Sequence, residues 1–201
     1  MNRRHLLLAI GAAAPTVAFS GFAWAASPAE SFVADNVHNG FDILNDKTAS
    51  AAQRKDRFAA FLLGLTDVKR VALFLLGKYA AGAAPADIDA YYAAYQDYIL
   101  AVYQSYFAQY AGQTLKVMDS RERAPQDFVV RTSMVGGSNA PMEIDFRVRT
   151  DGAKPVLVDL SVAGVWLALA QRDQFQSVLT QNNGDIKALT AHLRSAQAQQ
   201  R

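Results

Sequence analysis

The sequence of 201 residues contains no cysteine, and its charges almost cancel. Without cysteine, disulfides and thiolate metal ligands are excluded, so packing alone must hold the fold together. The 20 Lys and Arg residues exceed the 18 Asp and Glu residues by two, and Arg3 and Arg4 near the N-terminus account for that excess. The remaining chain is neutral overall. Nucleic-acid binding is therefore disfavoured, because it depends on neutralising phosphates.

Familiar catalytic signatures are also missing. After the first 25 residues the only histidines are His38 and His192, which lie far apart in sequence. The chain has no H-E-x-x-H zinc motif, no G-x-S-x-G nucleophile elbow and no glycine-rich phosphate loop. A serine–histidine–aspartate triad built on His38 stays open, although both histidines suit helix-surface or rim positions. The sequence therefore predicts no catalytic residue, no metal site and no cofactor.

The N-terminus has the features of a cleavable export signal in their usual order. A positive Arg3-Arg4 pair precedes an uncharged apolar run over residues 6–19, and Ala23-Trp24-Ala25 is a small-x-small cleavage site. We expect a signal peptide over 1–25, cleavage near Ala25, and a single periplasmic domain over 26–201. A transmembrane anchor is the alternative, which the short apolar run disfavours. Sec and twin-arginine export both stay open.

The first half of the mature chain has the periodicity of amphipathic helices. Apolar residues recur every three or four positions over 29–44, 51–65 and 68–79, and Thr66-Asp67 offers a helix cap. The segment 85–110 has the most regular helical spacing and carries a stripe of large, mostly aromatic side chains. This stripe could pack the helix against the rest of the fold or line an apolar cavity. The stripe consists of Tyr92, Tyr95, Ile99, Tyr103, Tyr106 and Tyr110.

The period changes to two between residues 114 and 162, which predicts strands with one buried and one wet face. Gly136–Asn139 and Asp151-Gly152 supply turns, so the strands should form an antiparallel meander. A helical pattern returns after Gly164. We therefore expect an α+β fold with N-terminal helices packed on a curved antiparallel sheet of about four strands. C-terminal helices would close it, leaving an apolar cavity between the layers.

Four segments follow the export signal in a characteristic order and spacing. They are the Leu-Gly-x-Tyr segment in Phe74–Tyr79, the tyrosine-rich helix Tyr91–Gly112, the charged alternating strand Met142–Thr150, and Val158–Phe175, which ends in Arg-x-x-Phe. Together they resemble the MlaC/toluene-tolerance family of periplasmic phospholipid-binding proteins. The resemblance covers nearly all of residues 29–194. Two positions depart from the usual pattern of the family: Ala163 stands in place of an acid, and Trp166 stands in place of a serine. The pattern Leu169-x-x-Arg172 resembles the branch of the family that is linked to hopanoid biosynthesis.

The resemblance implies a soluble carrier, monomeric and not an enzyme, that serves as an auxiliary component of an ABC transporter. It would shuttle lipid between an outer-membrane lipoprotein complex and an inner-membrane ABC transporter complex, without a cofactor. Each CH₂ group buried in the membrane stabilises a lipid there by about 0.8 kcal/mol. A two-chain lipid therefore leaves the membrane and crosses water slowly, and a carrier is needed to replace the membrane environment. A glycerophospholipid and a bulkier polycyclic lipid both stay open as cargo.

The lipid-binding residues should be apolar positions on elements that face each other, about half of which would touch lipid. We expect them among Leu75, Tyr79, Tyr95, Ile99, Met134, Ile144, Phe146, Val148, Val165 and Trp166. Arg147, Arg149 and Arg172 are candidates for partner docking, with a solvated surface as the alternative. Two other functions remain open: a small-ligand enzyme of cone-shaped α+β fold, which needs a polar group in its cavity, and an interaction module with a solid core.

Overall fold

The computed structural model describes residues 26–107, 112–136 and 141–199, without the side chains of 103–107. The predicted signal peptide, Tyr110 and most of the turn predicted at 136–139 lie outside these ranges. The described residues form six α-helices and one open antiparallel sheet, which confirms the α+β class. Within these ranges, no helix combines the length and apolarity that a membrane span requires.

The helices follow the capping signals of the sequence. Ser27 and Ser50 each form a capping box, and the Asp67 side chain accepts a hydrogen bond from the Arg70 N–H at 3.0 Å. A short 3₁₀ turn, Gly77–Ala80, follows the third helix. The helices are α1 Pro28–Asn45, α2 Ala51–Leu65, α3 Val68–Leu76, α4 Pro85–Phe107, α5 Leu167–Gln181 and α6 Ile186–Gln199.

The strands pair in chain order, each antiparallel to the next. They are β1 Thr114–Ala124, β2 Asp127–Val135, β3 Met142–Arg149, β4 Val156–Val162 and β5 Val165–Trp166. The last has only two residues, so the sheet has four full strands, close to the prediction. The face that we call the inner face carries Leu115, Val117, Phe128, Val130, Thr132, Met134, Met142, Ile144, Phe146, Val148, Leu160 and Val162. Most of the charged strand residues lie on the opposite, outer face.

Buried apolar residues form two separate clusters. The sheet cluster joins α1 to the inner face through Ala29, Val33, Val130 and Val148. The helical cluster fills the space among α3, α4, α5 and α6. Its members are Val68, Ala72, Leu75, Leu76, Tyr91, Ala94, Tyr95, Ile99, Ala168, Phe175, Leu179, Ile186, Leu189 and Leu193.

Helix α2 connects the two clusters without being part of either core. None of its residues is buried. Its Phe61 ring packs against Gly40 of α1, where an added Cβ would lie 3.3 Å from the ring. Its other side faces α4, and Thr66 at its C-terminal end forms a parallel bridge with Leu157 of β4. This helix therefore borders both the sheet side and the helical side of the molecule.

Candidate functional site

An open cleft of about 420 Å³ lies between α1 and β1. Its volume is in the range of small-molecule pockets. Five of its seven lining residues are apolar, and His38 and Thr114 are the two polar ones. The full lining is Ala34, Val37, His38, Phe41, Thr114, Leu115 and Val117. The cleft can therefore receive an apolar ligand.

The floor of this cleft continues across the inner face of the sheet. Leu115 lies opposite Met134, and Met134 lies opposite Met142 on the next strand. In the neighbouring row, Val117 and Ile144 lie on either side of Thr132. Residues directly opposite in an antiparallel ladder point to the same face. Because Met134, Met142 and Ile144 are only partly buried, an accessible apolar surface runs from the cleft across three strands.

The other end of the inner face is closed by the first turns of α1. There Ala29 and Val33 cover Val130 and Val148, and all four are almost fully buried. The later turns of the same helix, which carry Val37 and Phe41, form the wall of the cleft instead. One helix thus seals the inner face at one end and leaves it open at the other.

A small cavity of about 30 Å³ lies on the helical side. That is room for one or two water molecules and not for an acyl chain. Its apolar lining comes from α2, α3 and α4. The lining residues are Leu62, Leu63, Thr66, Val68, Val71, Tyr95, Ile99 and Leu100.

The structure places the ten predicted lipid-binding residues in three groups. Four share the inner face: Met134, Ile144, Phe146 and Val148. Val148 is fully buried there, whereas the other three are partly exposed. Met134 and Ile144 therefore lie on the accessible apolar surface that begins at the cleft, whereas Phe146, opposite Val130, packs against the sheet cluster.

A second group lies in or against the helical cluster. Leu75 is fully buried, and Tyr95 and Ile99 line the small cavity. Tyr79 packs on the same cluster, and its hydroxyl lies 3.1 Å from that of Thr180. In this structure the helical group and the inner-face group line separate spaces.

The third group is the short strand β5. Val165 is 55 % exposed and Trp166 is partly buried. Sequence reasoning missed the α1 and β1 residues that line the cleft. The apolar stripe of α1 does include Val37 and Phe41, but periodicity does not show which element that stripe faces.

Each of the three predicted docking arginines has a partner. Arg147 donates two hydrogen bonds, of 2.9 and 2.6 Å, to the nearly buried carboxylate of Asp127 and lowers its pKa. Arg149 pairs with Asp151. The guanidinium of Arg172 lies 4.5 Å from the centre of the Phe74 ring, a cation–π contact.

Two carboxyl groups have raised pKa values because they are partly buried: Asp145, where Glu143 adds to the effect, and Asp159. Both lie on the outer face, since their ladder partners Arg131 and Arg147 do. Asp159 accepts hydrogen bonds from the N–H groups of Leu160 and Ala168. These carboxyls therefore point away from the cleft. Across the described part of the chain, no cluster of three His, Cys, Asp or Glu residues could hold a metal ion.

Comparison with known proteins agrees with this architecture. The fold is similar to that of a phospholipid-binding protein from Ralstonia solanacearum, solved in complex with a phospholipid. The two chains are 20% identical, the TM-score is 0.69, and the match covers 86% of this chain and 96% of the other. The family model for the MlaC protein matches residues 34–195. The chain therefore belongs to the MlaC protein family.

Proposed function

We propose that this protein is a periplasmic lipid carrier, not an enzyme, and that it holds lipid acyl chains against the inner face of its sheet. The observation that carries the proposal is the accessible apolar surface running from Leu115 and Val117 to Met134 and Ile144. Membership of the MlaC family and the phospholipid bound by the Ralstonia relative support it.

Binding along this surface follows from the hydrophobic effect. Each buried CH₂ contributes about 0.8 kcal/mol, so an acyl chain laid on the inner face is held strongly and released slowly. The polar pair His38 and Thr114, which belongs to the cleft lining, would lie beside the lipid headgroup. Slow release explains why a partner complex would be needed to empty the site.

Helix α2 is the element that would move to admit a full lipid. It has no buried residue, and its Leu62 and Leu63 line the small cavity of the helical side. Its Phe61 packs on Gly40 of α1, next to Phe41 in the cleft wall. Displacement of α2 would join the two spaces, and Tyr95 and Ile99 would then face the same lipid as Ile144.

The family resemblance indicates the membrane complexes with which the carrier would exchange lipid. The protein would exchange lipid with an outer-membrane lipoprotein complex and an inner-membrane ABC transporter complex after export and removal of residues 1–25. Arg147, Arg149 and Arg172 remain the proposed docking residues, and their partners Asp127, Asp151 and Phe74 hold them in fixed positions. The cargo would be a glycerophospholipid or a hopanoid-like lipid.

Two adjacent substitutions in β1 test the placement of the site. Val117 lines the cleft, whereas Met118 at the neighbouring bulge is 57 % exposed. Val117→Asp should abolish retention of co-purified lipid, because it puts a charge on the apolar floor. Met118→Asp should leave retention unchanged. Circular dichroism would check that both variants fold. Equal lipid content in folded Val117→Asp and wild type would reject this site.

A further inference from the structure

Exposed large apolar side chains are concentrated on one surface of the molecule. Five such residues occur in the described part of the chain, and four of them lie on α3, β5 and α5. They are Leu73 at 38%, Phe74 at 39%, Val165 at 55% and Leu169 at 50% exposed, while the fifth, Met118, is on β1. Clustered exposed apolar residues mark interaction sites, whereas scattered ones need no explanation.

Cations surround these apolar side chains, and we call the whole group the α3–α5 surface. Lys69 and Arg70 precede Leu73 by one helical turn, Lys78 follows on the 3₁₀ turn, and Arg172 covers Phe74. The α3–α5 surface consists of Lys69, Arg70, Leu73, Phe74, Lys78, Val165, Leu169 and Arg172, of which Arg172 is also one of the proposed partner-docking residues.

Few acidic groups balance these cations. Arg70 reaches Asp151 only at 4.0 Å, and Arg149 already pairs with that carboxylate. Asp67 caps α3, and Asp173 follows Arg172 on α5. Within the described ranges, Lys69, Lys78 and Arg172 form no ion pair with a carboxylate. The surface is therefore positive as well as apolar.

We propose that the α3–α5 surface docks on an anionic lipid bilayer. The proposal rests on the lipid-carrier function: the complexes with which the carrier would exchange lipid lie in membranes, and a membrane-binding surface would hold the carrier beside them. Apolar side chains such as Leu73 and Phe74 enter the headgroup boundary, and neighbouring cations attract anionic lipids. The long stems of Lys69 and Lys78 allow their charges to reach the headgroups.

A bilayer fits this composition better than a protein partner does. Lysine is depleted in protein–protein interfaces, and here Lys69 and Lys78 both flank the apolar residues. The location also suits lipid exchange. The inner side of α3 carries Val68 and Val71, which line the small cavity bordered by α2. Docking would therefore place α3, one wall of this small cavity, against the membrane.

Vesicle flotation of the purified mature protein tests the proposal. The vesicles would contain phosphatidylcholine alone, or equal amounts of phosphatidylcholine and phosphatidylglycerol. We expect wild-type protein to float with the anionic vesicles at low salt, and at least tenfold less with the neutral ones. Each cation near an anionic surface strengthens membrane binding by roughly fivefold. The double variant Lys69→Gln with Lys78→Gln should therefore bind roughly thirtyfold more weakly than wild type.

Two further variants test whether the apolar side chains of the α3–α5 surface contribute to membrane binding. Leu73→Ser with Phe74→Ser should weaken binding at least tenfold, whereas Met118→Ser, the matched exposed position on β1, should bind like wild type. If the Leu73/Phe74 variant fails to fold, the lysine variant still tests whether the α3–α5 surface binds the membrane. Wild type that does not float with anionic vesicles would overturn the proposal, and so would a lysine variant that floats like wild type. Variants that float normally but no longer bind a transporter complex would assign the surface to a protein and overturn it as well.

Lipid content, measured by mass spectrometry on the same wild-type sample, separates this proposal from the carrier function on which it rests. Lipid-free protein that takes up no lipid and still floats would contradict the carrier function and leave the docking surface standing. Lipid-loaded protein that does not float would contradict only the docking surface.

Discussion

The helical cluster and the sheet side of this protein are both built from apolar side chains, yet the two cavities described beside them differ greatly in volume. Four helices pack around the helical cluster, and the cavity that borders it measures about 30 Å³. On the sheet side, α1 covers the inner face at Val130 and Val148 and leaves a cleft of about 420 Å³ beside Leu115 and Val117. Apolar composition alone therefore does not distinguish a core from a binding surface. What covers each residue decides between them.

The largest expected difference concerns stability on the helical side. Leu75 is fully buried in the helical cluster. Leu75→Ala should lower the free energy of unfolding by about 2–5 kcal/mol, because it leaves a cavity in a closed core. Chemical denaturation measures this change. Leu169→Ala, at a residue that is 50% exposed, serves as the control and should change stability by less than about 0.5 kcal/mol. A comparably small effect of Leu75→Ala would contradict the closed-core description.

A buried tyrosine offers a second test of the same cluster. The Tyr91 hydroxyl donates a hydrogen bond of 3.1 Å to the Ala72 carbonyl, and burial raises the pKa of Tyr91. Tyr91→Phe should cost about 0.5–1.5 kcal/mol, since it removes a buried hydrogen bond. Tyr92→Phe, at the partly buried neighbour, should be close to neutral. Thermal unfolding of the two variants would show whether only the first is destabilised, and equal melting temperatures would argue against the role of this hydrogen bond.

On the sheet side the expected effect is on lipid and not on folding. Ile144 is partly exposed on the inner face, one strand beyond Thr132. Ile144→Asp should reduce lipid retention at least tenfold, because a charge there opposes the acyl chain. Lys116→Asp introduces the same charge on the outer face of β1 and should retain lipid. Unchanged lipid in the folded Ile144→Asp variant would count against the placement of the cargo on this face.

The last two effects concern the pH dependence of stability at the two carboxyls beside Arg147 on the outer face. The hydrogen bonds from Arg147 hold the pKa of Asp127 below its usual value of 3.8. In the unfolded chain Asp127 therefore binds a proton more readily than in the folded protein. The stability that ionised Asp127 contributes is present above pH 3.8 and is lost as the pH falls through the folded-state pKa. Asp127→Asn should cost about 1–3 kcal/mol at pH 7.

Asp159 should behave in the opposite sense. Burial raises its pKa above 3.8, so its ionisation destabilises the fold as the pH rises through that raised value. Asp159→Asn keeps an oxygen to accept the Ala168 N–H and should slightly stabilise the protein at pH 7, with no gain below pH 3.8. Denaturation curves at pH 3 to 7 would compare the two variants. A shared sign at pH 7 would contradict this assignment.

Much of the local structure follows from the sequence because its causes are local. The apolar spacing and the Asp67 cap predict α2 and α3, and the structure confirms α2 at Ala51–Leu65 and the start of α3 at Val68. Helix α3 ends at Leu76 and not near residue 79 as predicted, because Gly77 adopts a positive φ of 54° and a 3₁₀ turn follows. The alternation in β3 likewise predicts its two faces, and its register confirms them. Membership of the MlaC family is confirmed as well.

The arrangement of these elements was harder to predict because it depends on contacts between distant segments. The stripe predicted on α4 begins at Tyr92, but Tyr91 is fully buried whereas Tyr92 is only partly buried, since several helices surround α4 and more than one of its sides is covered. The predicted lipid-binding set combined Tyr95 with Ile144, whereas in the structure Tyr95 lines the small cavity beside α2 and Ile144 lies on the inner face of the sheet. Periodicity identifies an apolar face but not its neighbour.

The most direct test of the lipid-carrier function is mass spectrometry of an organic extract from the purified mature protein, residues 26–201. We expect a phospholipid or hopanoid-like lipid near one molecule per protein, which would also identify the cargo. A folded sample that contains no lipid and takes none from vesicles would contradict the carrier function. An enzyme or an interaction module would then be the better explanation of the fold.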